Sequence, residues 1–172
     1  MKVTCIDVSD WKWVLWAYRS TTPDQRAVVI KDRARAYLSQ HSPIRERHFR
    51  FECVWPDRVH THIRTHHIGG EHYVGTQRPD RGGIAEPMRY HALSVNAQWL
   101  INTSHWRLCN RPWNDTQEAM VLIRDAVAEV DSALARVMVP NCVFQGGCPE
   151  PRPCGYYRDM LELYRGYPMR RS

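Results

Sequence analysis

Met120, Ile123, Val127, Val130, Leu134 and Val137 recur at alternating three- and four-residue steps. That spacing lines one side of a helix with apolar side chains, and such a stripe is stable only when a second layer covers it. The helix should open near Asn114 or Asp115 and end before Pro140, which cannot continue it. A partner layer is written earlier in the chain. Phe49, Phe51 and Cys53 alternate with Arg50 and Glu52, the period-two pattern of a strand with one buried face. The 172 residues suffice for one core and are too few for two comfortable ones, so a single domain of mixed helix and sheet is expected.

Between these anchors, Thr22-Pro23-Asp24-Gln25 reads as a capping box with proline at the first helical position. Ala27, Ile30, Ala34, Tyr37 and Leu38 follow at helical spacing, predicting a helix from about Pro23 to Gln40. His41-Ser42-Pro43 ends it. A basic, histidine-rich segment runs from Arg58 to His67 and closes on Ile68-Gly69-Gly70, while Pro79 to Pro87 reads as a loop. A further helical pattern extends from about Tyr90 to Cys109, with Trp99 and Trp106 placed as core residues. Asn141 to Pro153 reads as a loop rich in Cys, Gly and Pro.

The formal net charge of +6, with nine histidines besides, implies a positive field that gathers anions, although a merely solvated surface would carry the same charge. Asp7 and Asp10 interrupt the start where a signal peptide needs an apolar run, and no stretch approaches membrane-spanning length. A soluble, cytoplasmic protein without membrane association is the expectation. In that compartment six cysteines point to metal ligands, buried apolar groups or redox groups rather than a disulfide scaffold.

Three clusters suit anionic or amide-bearing ligands: Arg64-Thr65-His66-His67, Thr76-Gln77-Arg78, and the segment bearing Asn96, Asn102 and Arg107. An arginine beside a hydroxyl residue makes a phosphate clamp, because the guanidinium fork is planar and the hydroxyl completes the oxygen shell. On one continuous helix Asn96 and Arg107 would share a face about 16 Å apart, with Asn102 turned about 120° away. Asparagine is poorly suited to a helix interior, so both asparagines are expected to have a task, whether binding, capping or packing polar atoms.

The string from Asn96 to Arg107 resembles the helix of flavin-dependent thymidylate synthases that carries two asparagines six apart and an arginine five further on. Thr116-Gln117-Glu118 sits where that family opens its next helix. His41-Ser42-Pro43-Ile44-Arg45-Glu46-Arg47-His48 is similar to the family's His-Thr/Ser-Pro-Phe-Glu-His segment, and Phe49-Arg50-Phe51 to the strand after it. Thr65-His66-His67 followed by Thr76-Gln77-Arg78 resembles its Arg-His-Arg and Ser-x-Arg pair. The pieces occur in family order from roughly Trp11 to Pro140.

The resemblance implies an α/β (α+β) fold, a single domain with long helices packed on a small antiparallel sheet. Its catalytic domain would span residues 1–140, with 141–172 a C-terminal extension packed on the same domain. It implies a homotetramer with active sites shared between subunits. It places FAD against Ser42, Arg64, Thr65, His66, His67, Glu71, Asn96 and Asn102. It places a pyrimidine deoxynucleotide against His62, Thr76, Gln77, Arg78 and Arg89, with Arg107 as both substrate contact and catalytic cation. The implied reaction is reductive methylation of dUMP to dTMP, with NADPH and methylenetetrahydrofolate as co-substrates.

Departures are specific. Thr65 and His67 stand where the family has arginines, Val74 stands where Glu or Gln is common, and an Arg-x-x-Leu-Pro segment is missing. They fit a short, phage-type divergent member, one acting on another pyrimidine nucleotide, or a branch that has lost activity; the alternative enzyme is a flavin-dependent transferase placing another one-carbon group, such as hydroxymethyl, on a deoxypyrimidine nucleotide. Charge, histidines, tryptophans and cysteines also fit a metal-stabilised nucleic-acid-binding module, which the helical placement of the tryptophans disfavours. Finally, Cys142, Cys148 and Cys154, with Cys109, could form a structural zinc site on a loop stiffened by Pro149, Pro151 and Pro153, or could pack as separate thiols.

Overall fold

The computed structural model describes residues 1–66, 68–83, 87–109 and 114–168. The expected strand is present as β2, His48–Pro56, with Phe49, Phe51, Cys53 and Trp55 buried and the residues between them turned outward. It pairs antiparallel with β1, Lys2–Val8, on one side and with β4, Met88–Asn96, on the other. β3, Gly70–Val74, pairs antiparallel with β4, giving the order β1-β2-β4-β3. Phe49 lies opposite Val95, Phe51 opposite Leu93 and Cys53 opposite His91, so matching alternations share the inner face.

Helices cover that face. α3, Asp57–Arg64, packs on β2 and β4, and α5, Asn114–Val130, packs on β1 and α3. α1, Lys12–Ser20, and α2, Arg33–Ser39, lie before β2, and α4, Ala97–Arg107, follows β4 directly. The result is an α+β domain with a small antiparallel sheet, as expected. Residues 141–168 add the short helices α7, Asn141–Gln145, and α8, Tyr157–Leu163, whose Val143, Phe144, Tyr157 and Leu161 join the same core.

Four expectations are corrected. The helix from Pro23 shrinks to α2, because Gln25 takes a left-handed backbone and Asp32 caps a new start by accepting from the Arg35 amide at 3.1 Å. The β-branched run Val28-Val29-Ile30 between them is poor helix material. The pattern from Tyr90 is strand up to Asn96, since His91, Leu93 and Val95 alternate as β4. The apolar stripe is two helices: Met120, Ile123 and Val127 are buried on α5, Val130 is 42% exposed, and Asp131 starts α6, Ser132–Ala135, which restores Leu134 to the core. The loop from Asn141 begins as helix, with Pro140 as its N-cap.

Asp131 breaks the stripe because its carboxylate is wanted elsewhere. One oxygen accepts from the Leu134 amide at 3.2 Å. The other accepts from Arg47 Nε at 3.1 Å and from the Tyr37 hydroxyl at 2.8 Å. Arg47 also donates to the Ser9 carbonyl, and its own carbonyl receives the Ala97 amide at 2.8 Å. Burial, then the adjacent Asp131 charge, pushes the Tyr37 phenol well up, so it stays a donor. Asp131→Ala leaves Arg47 buried and unpaired, a change that costs about 3–5 kcal/mol. Urea unfolding should show that loss, and a cost below about 1 kcal/mol would reject this role.

Candidate functional site

α4 is placed by its first residue. Asn96 Oδ1 accepts from the Trp99 amide at 2.9 Å, a side-chain cap where β4 becomes helix. The Asn96 amide donates to the Gly69 carbonyl at 3.0 Å, and the Trp99 indole N–H donates to the His66 carbonyl. A Cβ at Gly70 would stand 2.7 Å from Trp99 Nε1 and 2.9 Å from Val95 Cγ1, so only glycine lets this strand approach α4 so closely. Capping is thus one task that Asn96 performs, with its side chain buried.

At the other end, Arg107 Nη2 donates to the His62 carbonyl at 3.1 Å and to Thr65 Oγ1 at 3.0 Å, tying the end of α4 to the end of α3. His62 Nδ1 lies 3.0 Å from the buried Thr116 hydroxyl on α5. Burial lowers the Arg107 pKa from its ordinary value, and its Nε is buried without a partner. Beside this junction a cavity of about 280 Å³ is lined by Thr65, His66, Trp99 and Asn102, with His105 and Trp106 on its border. Asn102 is exposed there and accepts from Gln98 Nε2 at 2.9 Å, which also donates to Gln40 Oε1 at 2.8 Å, two residues before Ser42.

The structure thus gathers Thr65, His66 and Asn102 on one cavity, and Arg107, which lines the cavity next to it, is joined to the first by its bond to Thr65. Other expected residues stand apart from that cavity's lining. Ser42 is exposed at the first position of a 3-10 turn, Ser42–Glu46, and Arg64 is exposed at the end of α3. Glu71 is on the outer face of β3, opposite in direction to His72. Thr76, Gln77 and Arg78 form the turn after β3, closed by Gly83, where a Cβ would meet the Thr76 carbonyl at 2.6 Å. Arg78 holds Asp80 through two bonds of 3.1 and 2.8 Å on the surface, and Arg89 holds Asp57 at 2.7 Å. His67 lies outside the described residues.

Behind the site stands a histidine cluster that the sequence did not announce. His91 Nδ1 accepts from the Trp55 indole at 3.1 Å, its Nε2 is 3.3 Å from His72 Nδ1, and the His60 ring stands 4.6 Å from it. Burial pushes His91 down to about 3, and burial likewise lowers His60 and His72. His105, stacked on Phe144 at 4.3 Å, is pushed by burial down to about 4.

A second cavity, of about 260 Å³, adjoins the first through His105 and Trp106 and is lined by Arg107, Cys109, Cys142, Cys148 and Cys154. All six cysteines are free thiols. Among the described residues no three His, Cys, Asp or Glu side chains already stand as a group able to hold a metal. Burial, with the neighbouring sulfurs adding to it, raises the Cys142 thiol. Trp106, expected in the core, is instead 50% exposed between the two cavities.

This α+β domain, whose four-stranded antiparallel sheet hands β4 directly to a capped helix, has the fold of solved flavin-dependent thymidylate synthase structures. Two structures of the Helicobacter pylori enzyme ThyX, with FAD and dUMP, superpose with a TM-score of 0.62. They are 12% and 14% identical, and each match spans 78% of this chain and 99% or 97% of theirs. The UMP/dUMP methylase PolB of Streptomyces cacaoi, bound with 5-Br dUMP, gives 0.61 at 12% identity over 79% of this chain and 93% of its own. No family model and no curated protein matches the sequence. Among the described residues no helix is long and apolar enough to cross a membrane.

The buried histidines make stability depend on acid. Their folded pKa values lie below the unfolded value near 6.5, so the unfolded chain binds more protons as pH falls. Stability is present above about pH 6.5 and drains toward pH 4, by up to about 1.4 kcal/mol per pH unit for each histidine. Urea unfolding across that range should show the slope, and His105→Phe, which keeps the stack on Phe144, should reduce it while His91 maintains the rest. A flat profile in the unsubstituted protein would contradict the burial argument.

Proposed function

We propose that the protein is a flavin-dependent one-carbon transferase acting on a pyrimidine deoxynucleotide, with reductive methylation of dUMP to dTMP as its reaction. The observation that carries this reading is the junction of Arg107 with Thr65 and His62, beside a cavity that also presents His66 and Asn102. The shared fold supports it, as do the FAD and dUMP in the Helicobacter pylori structures.

The donor set suits such ligands. A hydroxyl, an imidazole and an amide line the cavity, and the buried Arg107 Nε lacks an acceptor. At about 280 Å³ the cavity falls short of the roughly 300–1,000 Å³ of most cofactor sites, so a whole dinucleotide needs a further wall. Assembly as a homotetramer supplies one. Bound FAD would provide the redox chemistry, drawing reducing equivalents from NADPH and the carbon from methylenetetrahydrofolate. Thr65, His66 and Asn102 would hold it, with Ser42, Arg64, His67 and Glu71 reaching it from neighbouring segments or subunits.

For the nucleotide, Arg107 would supply the cation that stabilises negative charge developing on the pyrimidine imide, and its bonds to Thr65 and to the His62 carbonyl hold its guanidinium. Thr76, Gln77 and Arg78 would bind phosphate. The exposed Arg78–Asp80 pair is worth about 0–1 kcal/mol, whereas a charge-assisted bond to phosphate is worth about 1.5–3 kcal/mol, so phosphate displaces the aspartate. Arg89 and His62 would extend the same site.

Purified protein given excess FAD should show a perturbed flavin spectrum, and no binding at micromolar FAD in a folded oligomer would reject the assignment. Arg78→Ala should weaken dUMP binding by roughly 10- to 150-fold in calorimetric titration, while Arg107→Ala should reduce single-turnover rate more than affinity. Unchanged dUMP affinity in Arg78→Ala removes the phosphate role.

A further inference from the structure

Two of the six cysteines, Cys5 and Cys53, belong to the sheet. The remaining four come from three stretches: Cys109 after α4, Cys142 within α7, and Cys148 and Cys154 on the segment between α7 and α8. All four line the cavity of about 260 Å³ beside Arg107. The chain leaves Cys109 and returns to it after passing through α5 and α6, so local sequence does not bring these thiols together. We propose that Cys109, Cys142, Cys148 and Cys154 form a structural site for a thiophilic divalent cation, zinc by its chemistry, which clamps the C-terminal segment onto the end of α4.

A second observation points to a ligand in the same place. His105 borders the cavity, is only 8% exposed, and its Nε2 is buried with no hydrogen-bond partner. An unpartnered buried nitrogen is destabilising unless something in the cavity satisfies it. As the Nε2–H tautomer it would donate to a thiolate sulfur drawn within reach by the metal.

The thiols must move inward to bind, since no three of them stand together as a metal-holding group. Tetrahedral zinc with bonds of about 2.3 Å sets sulfurs about 3.8 Å apart. Cys148 and Cys154 can make that adjustment. Their segment is largely exposed, with left-handed glycines at Gly146 and Gly155 at its ends, whereas Cys142 is anchored in buried α7. Each thiol releases its proton to solvent as its Zn–S bond forms, so four protons leave and no electron is transferred. The site then carries two negative charges, and the Arg107 guanidinium on the same cavity offsets part of them.

The inference stands apart from the flavin reading, because metal content and FAD binding are measured separately on one sample. The full chain, made without a histidine tag and kept reduced, should contain close to one zinc per chain. Cys148→Ser should lose it, and Cys5→Ser, whose thiol lies in β1, should keep it. Removal of zinc from the unsubstituted protein by a chelator should lower the melting temperature, and added zinc should restore it, which guards against a variant that merely misfolds. Cobalt in place of zinc should give the thiolate charge-transfer and tetrahedral ligand-field bands. A folded, reduced protein that contains no metal, takes up no cobalt and exposes all four thiols to a thiol reagent overturns the site. So does metal retained in both Cys148→Ser and Cys154→Ser.

Discussion

The buried pair of Arg47 and Asp131 is the interaction on which the geometry of this domain depends. Taking two charges out of water costs several kcal/mol per ion, and attraction repays it only if the remaining polar atoms are satisfied. Here they are. Asp131 accepts from Arg47, Tyr37 and the Leu134 amide, and Arg47 also donates to the Ser9 carbonyl. Four separate stretches are joined at one point: the turn after β1, the end of α2, the start of β2, and the break between α5 and α6. The Arg47 carbonyl then receives the Ala97 amide, so the first turn of α4 is referenced to the same pair. Replacing the pair by apolar residues could match its stability, but would lose the side-chain bonds that hold in place the Arg47 backbone, whose carbonyl receives the Ala97 amide.

That starting point matters because Asn96 is the last residue of a strand and the cap of a helix at once. As a strand residue it is opposite His48, and as a cap it holds the Trp99 amide. A slip of one residue in β4 would turn Leu93 and Val95 to the outer face and rotate every side chain of α4 by about 100°. The close approach at Gly70 excludes such a slip, since the Trp99 ring and Val95 fill the space that a different register would need. Sheet register and site geometry are therefore one constraint.

Features that rest on neighbouring residues were legible in the sequence. The alternation of Phe49, Phe51 and Cys53 is local, and so is the spacing of Met120, Ile123 and Val127. The order of the motifs from Ser42 to Gln117 was enough to suggest the fold. Features that rest on distant partners were not. Asp131 looks like any polar residue in a helix until Arg47, 84 positions earlier, claims its carboxylate. His60, His72 and His91 meet only because α3, β3 and β4 adjoin, and nothing in their spacing says so. β4 was read as helix because Asn96 to Arg107 is strongly helical and the pattern was extended backwards past the cap. A strand that feeds a helix without a loop leaves no glycine or proline to mark the boundary.

The arrangement of α4 also resolves a difficulty in its own spacing. Asn102 and Arg107 are five residues apart, so their side chains leave the helix about 140° from one another and about 7.5 Å apart along it. No single small ligand bound to one helix face would reach both. The structure answers with two cavities: Asn102 lines one, Arg107 lines the other, and His105 and Trp106 border both. Trp106, half exposed, is shared by the two linings. A rigid helix, buried on most of its circumference, is the element best able to hold those two directions constant.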